Sequence, residues 1–270
     1  MKNPTLTTKN RAAFALTVWG AIAYTTLLES IRRKDLWVAA ILAVVMIGAA
    51  SVVGHFGVRG LEMFLKDVTL TVVNLLSVIL AILFSSRQMP EEISRRTIYP
   101  LLARPISRFD VLFGKFLGSL ALSTVALIVF ALVGWLSLLY FGLSVGLIFW
   151  QYLLLRFLSL AVICALTICL SVYLTPPATA TIAILLAIGA STFSTAVTML
   201  HGSVGLVTRK ILETTYFVLP QLDLFDLSRK VSYGWKPISV MTIVLLMAYG
   251  AIHSTVLLVL ALVRFRRQEL

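Results

Sequence analysis

Six apolar runs, each long enough to cross a bilayer, decide what this chain can be; they cover about residues 36–55, 68–86, 112–138, 148–174, 178–200 and 238–263. A bilayer core asks for about 20 consecutive apolar residues per helix, whereas barrel strands would appear as short alternating segments. Lipid also obliges each span to pair its own backbone polar groups. The runs therefore predict an all-α integral membrane protein with six transmembrane helices. With 60% of residues hydrophobic and only 13% charged, a water-soluble globule is excluded.

The net charge of +12 raises the question of nucleic acid. The basic residues, however, sit in loops beside apolar spans and not along one polar face, so we expect no nucleic-acid partner. With the amino terminus inside, fifteen Lys and Arg fall on the cytoplasmic side and seven on the other, with Arg156 inside a span. That asymmetry places both termini in the cytoplasm of a multi-pass protein of the cell (inner) membrane. Cys164 and Cys169 are five apart on one helix and face different ways, which rules out a mutual disulfide. His55, His201 and His253 are scattered among three spans, so no metal site is expected.

The chain reads as one transmembrane domain, 1–270, with no soluble domain. Residues 11–34 form an apolar stretch that ends in Glu29, Arg32, Arg33 and Lys34. It is expected to be a retained interfacial helix bending into the first span; a seventh span and a cleaved signal sequence are the alternatives. The stretch "TPPATA" at 175–180 should end one helix and open the next. Between 201 and 237, a rough helical period through Val204, Val207, Ile211 and Phe217 suggests a short helix on the outer leaflet before Pro220.

The most charged segment is "MPEEISRRTIYPLLARPISRFDVLFGK", residues 89–115, between two membrane-grade runs. Pro90 suits the first turn of a helix, with Glu91 and Glu92 at its positive end. Pro100 and Pro105 should kink and stop that helix, and Ser107 with Asp110 makes an S-x-x-D capping box that starts the next one. Topology anchoring alone does not require such rigidity. Apolar Ile98, Leu101 and Leu102 between arginines make the segment a stiff, sticky knob suited to another protein's grip.

The order Glu92, Thr97, Leu101-Leu102, Pro105-Ile106-Ser107-Arg108 and Gly114-Lys115 resembles the signature of ABC-2-type permeases, the membrane subunits of type V (ABCG-like) ABC transporters. The basic lead-in "LLESIRRKDLWVAAIL" and "YFVLPQLDLFDLSRKVSYG" extend the likeness over most of the chain, toward the branch grouped with multi-copper-enzyme maturation. The resemblance implies that residues 87–110 form a coupling loop with a short cytoplasmic coupling helix, seated in a cleft of a separate cytoplasmic ABC ATPase. Glu92, Thr97, Leu101, Leu102, Arg104, Pro105 and Arg108 would carry the coupling. Leu101 and Leu102 would be buried anchors, Arg104 and Arg108 would meet acidic ATPase residues, and Glu92 would hold neighbouring helix ends. Pro100 departs from the commonest form of the motif and leaves the helix length open. ATP and Mg would be bound by the partner ATPase and no cofactor by this chain, which would pair with a second permease subunit, itself or a similar one.

No G-x-x-x-x-G-K-[ST] loop is present: before Gly114-Lys115, Phe109 stands where the first glycine would have to wrap phosphate. The chain is therefore expected not to be an enzyme. Intramembrane polar residues are few: Asn74, Gln151 and Arg156 stand out, and each could equally serve as interhelix glue. In the resembled family the second and fifth spans flank the path between subunits, which makes Asn74, Ser191, Ser194 and Thr195 pathway candidates; Arg156 of the fourth span joins them as a polar residue that could contact substrate. Ala183, Ala187, Ser191 and Thr195 form a small-residue ladder that predicts a close helix contact. The expectation is a permease subunit that exports or extracts a substrate. Its rivals are a non-transporting permease that passes force to an outer-side maturation partner, and an ATP-independent secondary carrier. A carrier would need a deeply buried carboxylate, which these spans lack. A membrane hydrolase would need more than the neighbours His253 and Ser254.

Overall fold

Apolar runs bounded by polar caps should fold as long helices whose packing is settled by small residues and a few interhelical hydrogen bonds. The computed structural model describes residues 8–32, 61–94, 107–200, 210 and 220–267, with isolated helical positions at 41, 42, 45 and 48. Its elements are α1 (Thr8–Arg32), α2 (Leu61–Ser94), α3 (Arg108–Tyr140), α4 (Leu147–Ser171), α5 (Pro176–Leu200), a 3-10 turn (Leu222–Phe225), α6 (Ser228–Ser232) and α7 (Val240–Arg267). The described residues contain no strand.

Four helices among the described residues, not the six expected, are long and apolar enough to cross a membrane: Glu62–Pro90, Arg108–Tyr140, Leu147–Ser171 and Val240–Arg267. They contain the expected spans at 68–86 and 112–138, most of that at 148–174, and all but the first residues of that at 238–263. The apolar core of a run marks its minimum length only, because polar caps and ion pairs carry each helix further. At the start of α2, for example, the Lys66 ammonium lies 2.7 Å from the Glu62 carboxylate one turn earlier. The run at 178–200 falls in α5, whose described apolar part, Pro176–Gly189, is too short to cross by itself. The run at 36–55 lies mostly outside the described residues, as do 201–209 and 211–219, where an outer helix was expected.

Pro90 corrects a second expectation. It does not open a short coupling helix; α2 continues through it to Ser94. Packing overrides the local preference, because Ser85, Ser86 and Met89 on the turn before it are fully buried and a break would lift them from their contacts. At 175–180 the structure follows the proline signal: α4 ends at Ser171 and α5 begins at Pro176.

α4 is the axial helix of the bundle. It packs against α2, α3, α5, α7, the 3-10 turn and α6, and its Tyr152, Leu155, Leu160, Ile163 and Ile168 are all inaccessible. Cys164 and Cys169 are both free, and the Cys164 sulfur lies 3.5 Å from the Ser123 hydroxyl of α3. α7 is its opposite, resting on α3 and α4 by a narrow stripe through Gly250, Ser254, Leu258, Ala261 and Phe265. Most of its remaining surface, up to the arginines of the last turn, is apolar and exposed. Antiparallel α3 and α4 are joined by a tight turn in which Gly142, at φ 72°, donates to Leu139 and Leu143 donates to Leu138. The bundle thus has an Arg108 end, shared by the start of α3 and the finish of α7, and a Gly142 end.

At the Gly142 end the approach to α7 is held by one side chain of α4. The Gln151 amide donates to the Ile238 carbonyl at 3.0 Å and accepts from the Ile238 amide at 2.8 Å, which satisfies a backbone segment that no helix pairs. This places Gln151 as interhelix glue, one of the two readings open from sequence.

Candidate functional site

The start of α3 is a mechanical joint. Ser107 is its N-cap: its hydroxyl accepts from the Asp110 amide at 3.1 Å, while the Asp110 carboxylate accepts from the Ser107 amide at 3.0 Å. This is the capping box anticipated from S-x-x-D, and it fixes where the charged segment ends and the membrane helix begins.

Two other helices are tied to that first turn. From α1, the Trp19 indole donates to the Asp110 carboxylate at 2.8 Å, and its ring sits edge-on to Phe113 at 4.7 Å and Phe109 at 6.2 Å. Beyond Trp19, Gly114 faces Ile22 and Gly118 faces Thr26 so closely that an added Cβ would lie 2.8 Å and 2.7 Å from those side chains' own Cβ atoms. The matched pairs 19/110, 22/114 and 26/118 advance together, so α1 stands parallel to α3 along a G-x-x-x-G seam. A helix lying flat in the membrane plane would cross α3 instead. From α7, the last carbonyls are capped by Arg108, whose guanidinium donates to Phe265 at 2.6 Å and Arg266 at 3.1 Å and stacks over the Phe265 ring at 5.6 Å.

Of the coupling residues expected from sequence, Arg108 is thus engaged within the chain, on the end of α7. Glu92 falls in the last turn of α2, and its side chain lies outside the described residues. Thr97, Leu101, Leu102, Arg104 and Pro105 lie outside them as well. Replacing Arg108 with alanine would leave the α7 carbonyls to find other partners. Charge-assisted bonds of this kind contribute about 1.5–3 kcal/mol each when buried and less when half exposed, as here. The expected outcome is faster amide exchange over 262–267 without loss of the fold, read by hydrogen–deuterium exchange.

A second constellation lies in the half of the bundle nearer the Gly142 end. α2, α4, α5 and the segment of the 3-10 turn line a half-open cavity of about 200 Å³ whose polar walls are Thr71, Asn74, Arg156, Ser159, Asp223 and Asp226. Arg156 does not snorkel to a surface, as its position in a span would allow. It is 3% exposed and donates to the Asn74 backbone carbonyl at 3.2 Å. The Asn74 side chain donates to one Asp226 oxygen at 3.0 Å, and the other accepts from the Ser228 amide at 2.8 Å, anchoring α6. Nearby, Tyr152 donates to the Leu70 carbonyl at 3.3 Å. Partial desolvation and the neighbouring Asp226 carboxylate hold Asp223 above the ordinary aspartate range, against the pull of Arg229.

Two of the expected pathway residues, Asn74 and Arg156, therefore meet at one cavity. Ser191, Ser194 and Thr195 belong to the second half of α5, and their side chains lie outside the described residues. Ala183 of the small-residue ladder is buried against its neighbours, and Ala187 lines the cavity.

Residues 37–270 match DUF2705, described as a protein of unknown function. The chain belongs to that family. No curated protein matches its sequence. The DUF2705 match takes in Arg108, Asp110, the Gly114 and Gly118 seam and every wall of the cavity, while Trp19, Ile22 and Thr26 of α1 precede it. Among the described residues no three His, Cys, Asp or Glu side chains gather as metal ligands would.

Sequence reasoning missed Asp226, Trp19 and the glycine seam. Asp226 was legible in principle: a buried arginine requires a nearby acceptor or counter-charge, and a carboxylate flanked by Leu and Phe in "LDLFDL" is the natural supply. By sequence Gly114 stands out only as part of a Gly-Lys pair that fails as a phosphate loop, with Gly118 four residues on. Their spacing of four in an apolar helix is also the signature of close helix packing.

Proposed function

We propose that this chain is the permease subunit of an ATP-driven ABC transporter of the ABC-2 type, exporting or extracting a substrate with energy from separate cytoplasmic ATPase chains. The observation that carries the reading is the joint at the start of α3. Asp110 and Arg108 stand within the charged segment, in the first turn of α3, one tied to α1 and the other to α7. A push on that segment is thereby delivered to three helices at once. A loop serving only as a connection has no use for such ties.

In this reading the Arg108 end is cytoplasmic, both termini lie inside, and the protein resides in the cell (inner) membrane. The runs at 36–55 and 178–200 complete six spans, and α1, standing along α3 and not flat in the membrane plane, leads into the first of them. Residues 87–110 dock on the ATPase, which binds ATP and Mg; this chain binds neither and is no enzyme. The exposed apolar faces of α3 and α7 are available to lipid and to a second permease subunit. Asn74 and Arg156, with Ser191, Ser194 and Thr195, line or border the substrate path.

The test is co-purification from membranes of the tagged chain, wild type against Leu101→Asp/Leu102→Asp. Wild type should bring down a Walker-type ATPase, and the double variant should lose it while still inserting in the membrane. Recovery of the same ATPase by both forms would remove the coupling assignment.

A further inference from the structure

The cavity carries an unusual mixture of groups for a site inside a membrane bundle. Arg156, buried to 3% exposure, has an Nε with no hydrogen-bond partner among the described residues, and so does the buried Ser159 hydroxyl one turn along α4. Buried donors of this kind are rare in finished structures, and both residues face the same 200 Å³ space. Across it stand two carboxylates. Asp226 is already engaged by Asn74 and the Ser228 amide, while Asp223 is exposed at the edge of the cavity. Apart from Thr71, the remaining wall is apolar, and its Leu75 and Ile188 reach the outer surface of the bundle, 46% and 53% exposed.

An anion alone would satisfy the donors but meet two like charges; a cation alone would suit the carboxylates and be repelled by Arg156. A ligand with both charges a few bonds apart satisfies all of them. We propose that this cavity binds the zwitterionic head of an amphiphile, with an anionic oxygen group toward Arg156 and Ser159, an ammonium toward Asp223 and Asp226, and its hydrocarbon along Leu75 and Ile188. The space suits a head group and not a whole lipid, and the lipid-facing edge lets the chain leave sideways. This names the substrate class for the transport reading and rests on that reading only for the ligand's role as cargo.

The experiment is native mass spectrometry of the purified full chain in detergent, titrated with short-chain phosphatidylethanolamine, phosphatidylglycerol and glycerophosphoethanolamine. The chain should retain the ethanolamine lipid about tenfold better than the glycerol lipid, whose phosphate lacks an ammonium partner. Asp223→Asn, at an exposed position, should erase that preference by weakening retention of the ethanolamine lipid and relieving the glycerol lipid of one like charge. Arg156→Gln should weaken both. Competition by glycerophosphoethanolamine as strong as by the lipid would identify a soluble zwitterion as the ligand; competition by the lipid alone would identify a membrane lipid. Equal retention of both lipids by wild type, or an undiminished preference in Asp223→Asn, would overturn the proposal. Because no ATPase is present, failure here leaves the coupling assignment intact, and failure of ATPase co-purification leaves this binding result intact.

Discussion

Valine at both Gly114 and Gly118 is expected to release α1 from α3. The new Cβ atoms would fall within 2.8 Å of those of Ile22 and Thr26, which are fixed to the opposing backbone and cannot swing away as a side-chain tip could. Overpacking costs about 1–3 kcal/mol per site, so the seam must open. When it opens, the 2.8 Å bond from Trp19 to Asp110 and the edge contact with Phe113 go with it. In a chain retaining Trp19 as its single tryptophan, the double variant should show red-shifted emission and a lower melting temperature. Gly20→Val provides the control, since nothing lies within 4 Å of that position. Unchanged Trp19 emission in the double variant would mean that α1 is held elsewhere.

Arg156→Leu is expected to be the most damaging single change in the described bundle. It removes the cation from a cavity that also contains Asp226 and leaves that carboxylate with Asn74 and a backbone amide as its donors. Breaking a fully buried ion pair typically costs about 3–5 kcal/mol, much of it from the charge left behind; the loss here is smaller, because Asp226 is half-buried and Asn74 stands between it and Arg156. Adding Asp226→Leu to Arg156→Leu should therefore recover part of the loss, although the Ser228 amide then wants a partner. Thermal denaturation of the two single variants and the pair gives the coupling directly. Additive losses would mean that Arg156 and Asp226 do not sense one another through Asn74.

What the sequence made legible follows from how local each signal is. Helix class, the four described spans and the Ser107 to Asp110 capping box depend on residues within a turn or on sustained hydropathy, and each is visible without tertiary knowledge. The course of α2 through Pro90 was not legible, because burial of Ser85, Ser86 and Met89 outweighs a local helix-breaking preference. The site was half legible. Asn74 and Arg156 stood out as polar groups in apolar runs, but their meeting with Asp226 spans 152 positions of chain and depends on how the 3-10 turn folds back. Arg108 was assigned to the charged segment by its motif, and only the packing of α7 beside α3 reveals the two carbonyls it holds.

In the proposed coupling, the segment between α2 and α3 receives force from another subunit and passes it through the Arg108 and Asp110 joint to α1 and α7. Site-specific photo-crosslinking at position 101 in native membranes tests it most directly. The prediction is a crosslink from that position to a cytoplasmic ATPase. A photoprobe at 101 that captures only lipid, or that is reached only by reagents confined to the exterior, would contradict it.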